Sequence, residues 1–166
     1  LALLIPLPQF IGLGYIGLGV TSIMAGFLIW NWHPARLFLG DVGSIPLGFI
    51  LGWVLLQLAA EGAWAVALIL PSYYLFDATI TLIKRALRRE KIWQAHREHF
   101  YQQATQRGLK HSTVSAMIGI TNLVLIAVCF VEFDTPGWMR VVAAAMVVFG
   151  LVGMMLRMPV KGRAEP

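Results

Sequence analysis

The chain has 166 residues, 58% of them hydrophobic and only 13% charged, with a mean hydropathy of +0.74. Soluble domains carry about 25% charged residues, so a soluble globular domain, a disordered tail and a disulfide-rich secreted module are excluded. Thirteen Lys and Arg against eight Asp and Glu leave a net charge of +5, and the single Cys129 sits in an apolar run with no internal partner. The composition predicts an all-α, polytopic transmembrane helix bundle.

A helix needs about 20 apolar residues to cross the hydrocarbon core. Residues 1–35 carry no acidic or basic side chain, but Pro6 and Pro8 break their beginning, leaving a first span over 10–31. The first basic residue is Arg36, so no cleavable leader is expected. The apolar opening at Leu1, without Met, is expected to be the tail of a longer protein. A second span covers 42–60, and a third covers 62–83, interrupted only by Asp77. A fourth covers 112–131 and a fifth 141–156, extended backwards over Trp138 and Met139. About five spans therefore form a single membrane domain over 1–166. Gly48 and Gly52, with Gly12, Gly14, Gly17 and Gly19, predict close packing of the first two spans.

Between spans three and four, residues 84–111 form a basic and histidine-bearing loop. It holds Lys84, Arg85, Arg88, Arg89, Lys91, Arg97, Arg107 and Lys110 against Glu90 and Glu98. Basic residues in short loops stay cytoplasmic, so this loop, the 31–40 loop with Arg36, and the tail with Arg157, Lys161 and Arg163 share that side. Glu61, Glu132 and Asp134 fall outside, and Arg140 is the one basic residue that does too.

Three groups could carry chemistry. In Asn31-Trp-His-Pro-Ala-Arg-Leu-Phe-Leu-Gly-Asp-Val-Gly-Ser44, Pro34 and Gly40 stop one helix and a new one begins after Asp41. Asp41 then has two readings. One is a helix N-terminal carboxylate that caps and complements the dipole. The other is a ligand to Mg²⁺ shared with a diphosphate, with Gly40 and Gly43 giving room and helix-start donors facing phosphate oxygens. Asp77, two turns before Lys84, is either a functional ionisable group at membrane depth or a salt bridge or hydrogen bond to a neighbouring helix. In the loop, His96 and His99 are one helical turn apart and would share a face. They lack the thiol or further histidine partners of a zinc site, whereas imidazoles beside Arg97 suit a diphosphate. The run 84–91 also suits a plain anchor on anionic lipid. Trp93, Phe100, Tyr101 and His111 read as an interfacial helix.

The core Pro-Ala-Arg-x-Phe-x-Gly-Asp-Val-Gly-Ser at 34–44, the trailing Leu-Gly-Phe, the Asp77 helix and the histidine loop, in that order, resemble the bacterial polyprenyl-phosphate N-acetylhexosamine-1-phosphate transferases. These are glycosyltransferase family 4 proteins similar to the phospho-N-acetylmuramoyl-pentapeptide translocase and to the initiators of O-antigen synthesis. The likeness runs over nearly all of the chain and corresponds to the C-terminal half of a member. It implies transfer of N-acetylhexosamine 1-phosphate from a UDP-sugar to polyprenyl (undecaprenyl) phosphate, releasing UMP, at the cytoplasmic face of the bacterial inner membrane. The resemblance makes Asp41 the Mg²⁺ ligand, with Mn²⁺ as a substitute, and places Phe38 near the uracil. Gly40, Gly43, Ser44 and His96 join the substrate site, and Arg97 and His99 act catalytically from the loop. Of the family pattern Arg-x-His-x-His-His, Arg97 and His99 match, Tyr101 and Gln102 replace the later histidines, and His96 stands where aspartate is common. The family's adjacent aspartate pair has no counterpart here, since the aspartates are Asp41, Asp77 and Asp134. Expected partners are the UDP-sugar, the lipid phosphate, the bilayer and a second copy in a homodimer, with no nucleic acid.

Two other classes of function compete. A transporter using Asp77 as its ion site is expected to carry paired broken helices in two related halves, and no internal repeat is present. A lipid-anchored scaffold would leave residues 40–44 without a role.

Overall fold

The computed structural model describes residues 10–32, 34–91, 93–94, 97–130 and 135–157. They form seven helices and no strand: α1 (Ile11–Asn31), α2 (Gly40–Ala60), α3 (Trp64–Ile69), α4 (Ser72–Leu87), α5 (Phe100–Gln106), α6 (His111–Phe130) and α7 (Gly137–Arg157). Among these, α1, α2, α6 and α7 are long and apolar enough to cross a membrane. The fold is an all-α polytopic bundle. The sequence reading of 62–83 as one span requires correction, because that stretch is two helices. Pro71 has no N–H to donate and disfavours helical backbone at Leu70, so α3 stops at Ile69 and α4 restarts at Ser72 with Pro71 as its cap residue.

By their contacts the residues separate into two compact units, Leu1–Ala67 and Leu68–Pro166, with the division falling inside α3. In the first unit a small core gathers Phe10, Val54, Leu58 and Ala67, with Leu13, Leu55 and Val66 against it. The remaining apolar surface of α1 and α2 faces outward: only 11% of each span lies buried within the protein. The expected glycine packing is met only in part. Gly14 and Gly17 are buried, but no atom lies within 4 Å of where a side chain would start at Gly12, Gly19, Gly48 or Gly52.

In the second unit α6 packs along α7, α5 lies against both, and α4 packs on α7. Phe76 of α4 meets Phe149 of α7 edge-on at 4.8 Å and stacks with Phe100 of α5 at 6.1 Å. Arg107, at the end of α5, donates to the Leu156 carbonyl near the end of α7. The loop and the C-terminal end of α7 therefore meet.

Three helix ends share one stop. After α2, Gly62 (φ 86) and Ala63 donate back to the carbonyls of Ala59 and Leu58. After α5, Gly108 (φ 100) and Leu109 donate to Thr105 and Ala104. After α4, Arg89 (φ 58) and Glu90 donate to Ala86 and Arg85. Each is a Schellman turn, which satisfies the orphan carbonyls of the last turn.

Candidate functional site

Trp32 ends α1 in an extended conformation, and its N–H donates to Leu28 at 2.8 Å. The chain then folds back: Arg36 and Leu37 both donate to the Trp30 carbonyl, at 2.9 and 3.3 Å, and the Asn31 amide donates to the Leu37 carbonyl at 2.8 Å. These bonds use the Leu28 and Trp30 carbonyls of the last turn of α1 and fold the chain toward residues 38–44. A cavity of about 310 Å³ beside the loop is bordered by Trp30, Trp32 and Arg36.

Gly40 opens α2 in the left-handed region (φ 59), where a side chain would be strained. Asp41 follows in the first turn. Leu39 is the cap residue, and no side chain caps the helix. Of the two readings of Asp41, capping through its side chain is thus not realised. The carboxylate is exposed and bonded to no described residue, while the first amide N–H groups of α2 lack intrahelical acceptors. Phe38 is 76% exposed, and Ser44 is also exposed, one turn past Gly40. Gly43 has a packing reason: a Cβ there would lie 2.5 Å from Leu39 Cδ1. No group of three or more His, Cys, Asp or Glu able to hold a metal exists among the described residues. Asp41 alone offers one hard oxygen ligand. That fits Mg²⁺, which commonly takes one or two carboxylates and completes its shell with water and substrate phosphate oxygens.

The second unit holds the loop residues. Residue 96 lies outside the described set, so His96 is not placed. α5 starts at Phe100 with His99 as its cap residue, and the expected pairing of His96 with His99 lies outside the described residues. Phe100 is not interfacial. It is buried, with Lys84 Nζ 4.9 Å over its ring, while Trp93 is 80% exposed in a turn. Arg97 is exposed; its carbonyl accepts from Gln106 Nε2 at 3.1 Å, and its guanidinium bonds no described residue. His99 stacks on Tyr101 at 5.7 Å. Burial, aided by the nearby charge of Asp77, holds the Tyr101 phenol above its ordinary range, so it remains a neutral O–H donor well past neutral pH.

Asp77 resolves toward the bonded reading. It is 3% exposed, and its Oδ1 accepts from the Phe100 N–H at 2.9 Å and from Thr81 Oγ1 at 3.4 Å, with His99 Nδ1 at 3.3 Å. Arg85, eight residues on and 4% exposed, was hidden in the sequence as one charge among many. Its Nε donates to Glu90 at 2.9 Å, Nη1 to the Gln94 carbonyl at 3.1 Å and Nη2 to the Lys91 carbonyl at 3.0 Å. Arg88 pairs with Glu90 and Glu98. Two arginines of the run 84–91 are thus committed to carboxylates of the same loop. The signal that could have identified Asp77, Thr81 and Arg85 is their spacing of four, which puts them on one helical face. Phe38, Gly40, Asp41, Gly43 and Ser44 belong to the first unit; Arg97 and His99 belong to the second.

Residues 3–59 match the family model described as glycosyl transferase family 4. The chain is 28% identical to the "Probable undecaprenyl-phosphate N-acetylglucosaminyl 1-phosphate transferase" of Bacillus subtilis, over 60% of this chain and 35% of that protein. It is 27% identical to the phospho-N-acetylmuramoyl-pentapeptide-transferase of Chloroflexus aurantiacus, over 71% of this chain and 36% of the relative. It is 25% identical to the transferase of the same name from Buchnera aphidicola, over 72% and 33%. The chain spans about a third of the length of these curated relatives. No solved structure matches. The chain is similar to the glycosyl transferase family 4 proteins over residues 3–59, a segment that contains Phe38, Gly40, Asp41, Gly43 and Ser44.

Proposed function

We propose that this chain serves the transfer of N-acetylhexosamine 1-phosphate from a UDP-sugar to a polyprenyl phosphate, with release of UMP. The site faces the cytoplasm at the bacterial inner membrane. The observation that carries the reading is the exposed Asp41, bonded to no described residue, in the first turn of a helix whose cap residue makes no side-chain bond, inside the segment that matches the family model. In this reaction an oxygen of the lipid phosphate attacks the sugar-bearing phosphorus. The new P–O bond forms as the bond to the bridging oxygen breaks, and that oxygen leaves on UMP. Negative charge concentrated around phosphorus is the main obstacle. A Mg²⁺ bound at Asp41 would neutralise that charge and orient the diphosphate. The N–H groups at the start of α2 suit a phosphate oxygen, and Phe38 offers an exposed ring for a base. Arg97 and His99, in the second unit, carry donors of the kind a phosphate takes.

Asp41→Asn tests the reading in the intact protein. Asn removes the anionic charge a hard cation prefers but serves as well at a helix start. UMP release with polyprenyl phosphate, a UDP-N-acetylhexosamine and Mg²⁺ is expected to fall by orders of magnitude, while the detergent-extracted yield stays normal. Retained turnover in well-folded Asp41→Asn would overturn the metal assignment and the mechanism.

A further inference from the structure

Asp77 is the one buried carboxylate among the described residues. It shares a face of α4 with Thr81 and Arg85, and this face holds the loop at two places. Arg85 binds the carbonyls of Lys91 and Gln94, ahead of Arg97. Asp77 binds the Phe100 N–H at 2.9 Å and lies 3.3 Å from His99 Nδ1. A buried carboxylate is retained only where donors compensate its lost hydration, and here they come from Thr81 on α4 and from the residues that open α5. Asp77 Oδ1 accepts from the Phe100 amide and from Thr81 and lies 3.3 Å from His99 Nδ1, so the backbone and the imidazole approach the same atom. A carboxylate behind an imidazole is a general means of fixing ring orientation and tautomer.

We propose that Asp77 is a positioning residue for His99. Its carboxylate orients the imidazole at the start of α5, and it acts on phosphoryl transfer through His99 without touching substrate. This rests on the loop role given under Proposed function. Asp77→Asn keeps an oxygen for the Phe100 amide and removes the charge that faces the ring.

A double-mutant cycle in the intact protein tests it, with UMP release measured over a range of UDP-sugar concentrations. Asp77→Asn is expected to lower kcat/KM by about tenfold, the lower end of what loss of a supporting partner behind a ligand costs. In a His99→Ala background the same change is expected to make less than about a twofold difference, because coupled residues are not additive. Equal losses in both backgrounds would overturn the proposal and make Asp77 a plain structural brace. Should Asp77→Asn fail to accumulate, Asp77→Glu, which keeps the charge and displaces it, enters the same cycle with the same expectations. A second measurement needs no turnover: in protein labelled with nitrogen-15 at histidine, the His99 ring resonances are expected to move in Asp77→Asn. Unmoved resonances would overturn the pairing, whereas a wild-type protein that releases no UMP while its ring resonances do move would overturn only the transferase reading.

Discussion

Arg89 holds a backbone conformation that an L-residue with a full side chain pays for, roughly 1–2 kcal/mol relative to ordinary helical backbone. The other two Schellman turns place Gly62 and Gly108 at the equivalent position. Arg89→Gly is therefore expected to stabilise the protein by about 1 kcal/mol. For a chain of this size that raises Tm by roughly 2–4 °C, readable by thermal unfolding in detergent. An unchanged or lowered Tm would mean that the Arg89 side chain makes up the difference. The two described aspartates make the opposite contrast. Asp41 was legible in the sequence because its neighbours, Gly40, Gly43 and Ser44, are adjacent to it in the chain. Asp77 was legible only as a charge in an apolar stretch. Its partners His99 and Phe100 lie more than twenty residues on, and the pairing exists only once the loop has folded.

Among the elements, α4 differs from the four long apolar helices in carrying a buried polar face. The sequence reading joined it to α3 because uncharged length was the criterion used, and Pro71 contributes no charge. The loop was legible as basic but not as folded, since a count of charges does not show which arginine turns inward. Arg85→Met is expected to remove the guanidinium shared by Glu90 and the carbonyls of Lys91 and Gln94, leaving Glu90 its pairing with Arg88, at a cost of about 2 kcal/mol with allowance for the partial exposure of Glu90. Amides of residues 90–94 should exchange faster, and trypsin should cut sooner after Lys91. Arg85→Lys should rescue little, because one ammonium cannot reach three acceptors that a planar guanidinium meets at once. Protection equal to wild type in Arg85→Met would show that the loop folds without this anchor. For the proposed phosphate contacts, Arg97→Ala and His99→Ala are each expected to weaken UDP-sugar use with insertion intact. Arg89→Ala, at a residue with no acidic partner among the described residues, should do so less. Equal mild losses at all three would favour a shared lipid anchor.

For the whole molecule, the all-α bundle was readable from hydropathy because membrane-spanning helices must satisfy every backbone group within themselves. Orientation is expected from the charges: Arg107 meets the Leu156 carbonyl, so Arg107 and Arg157 lie near one end of α7, the end expected to face the cytoplasm. Cysteines placed at Lys110 and at Thr135, on either side of α6, are expected to react with impermeant reagents from opposite faces, Lys110 from the cytoplasm. Reaction of both from one face would break the alternation.

The double hold of α4 on its loop has a consequence for how a ligand would be received. A loose loop must be ordered when its ligand arrives, and that entropy subtracts from affinity. Here Arg85 and Asp77 fix the loop from one helix, ahead of Arg97 and at His99. Most of the ordering is then complete when the chain has folded. Binding at Arg97 and His99 should show a small unfavourable entropy and little change in loop protection between the free and bound protein. Specificity would come from a surface whose shape exists before the phosphate does.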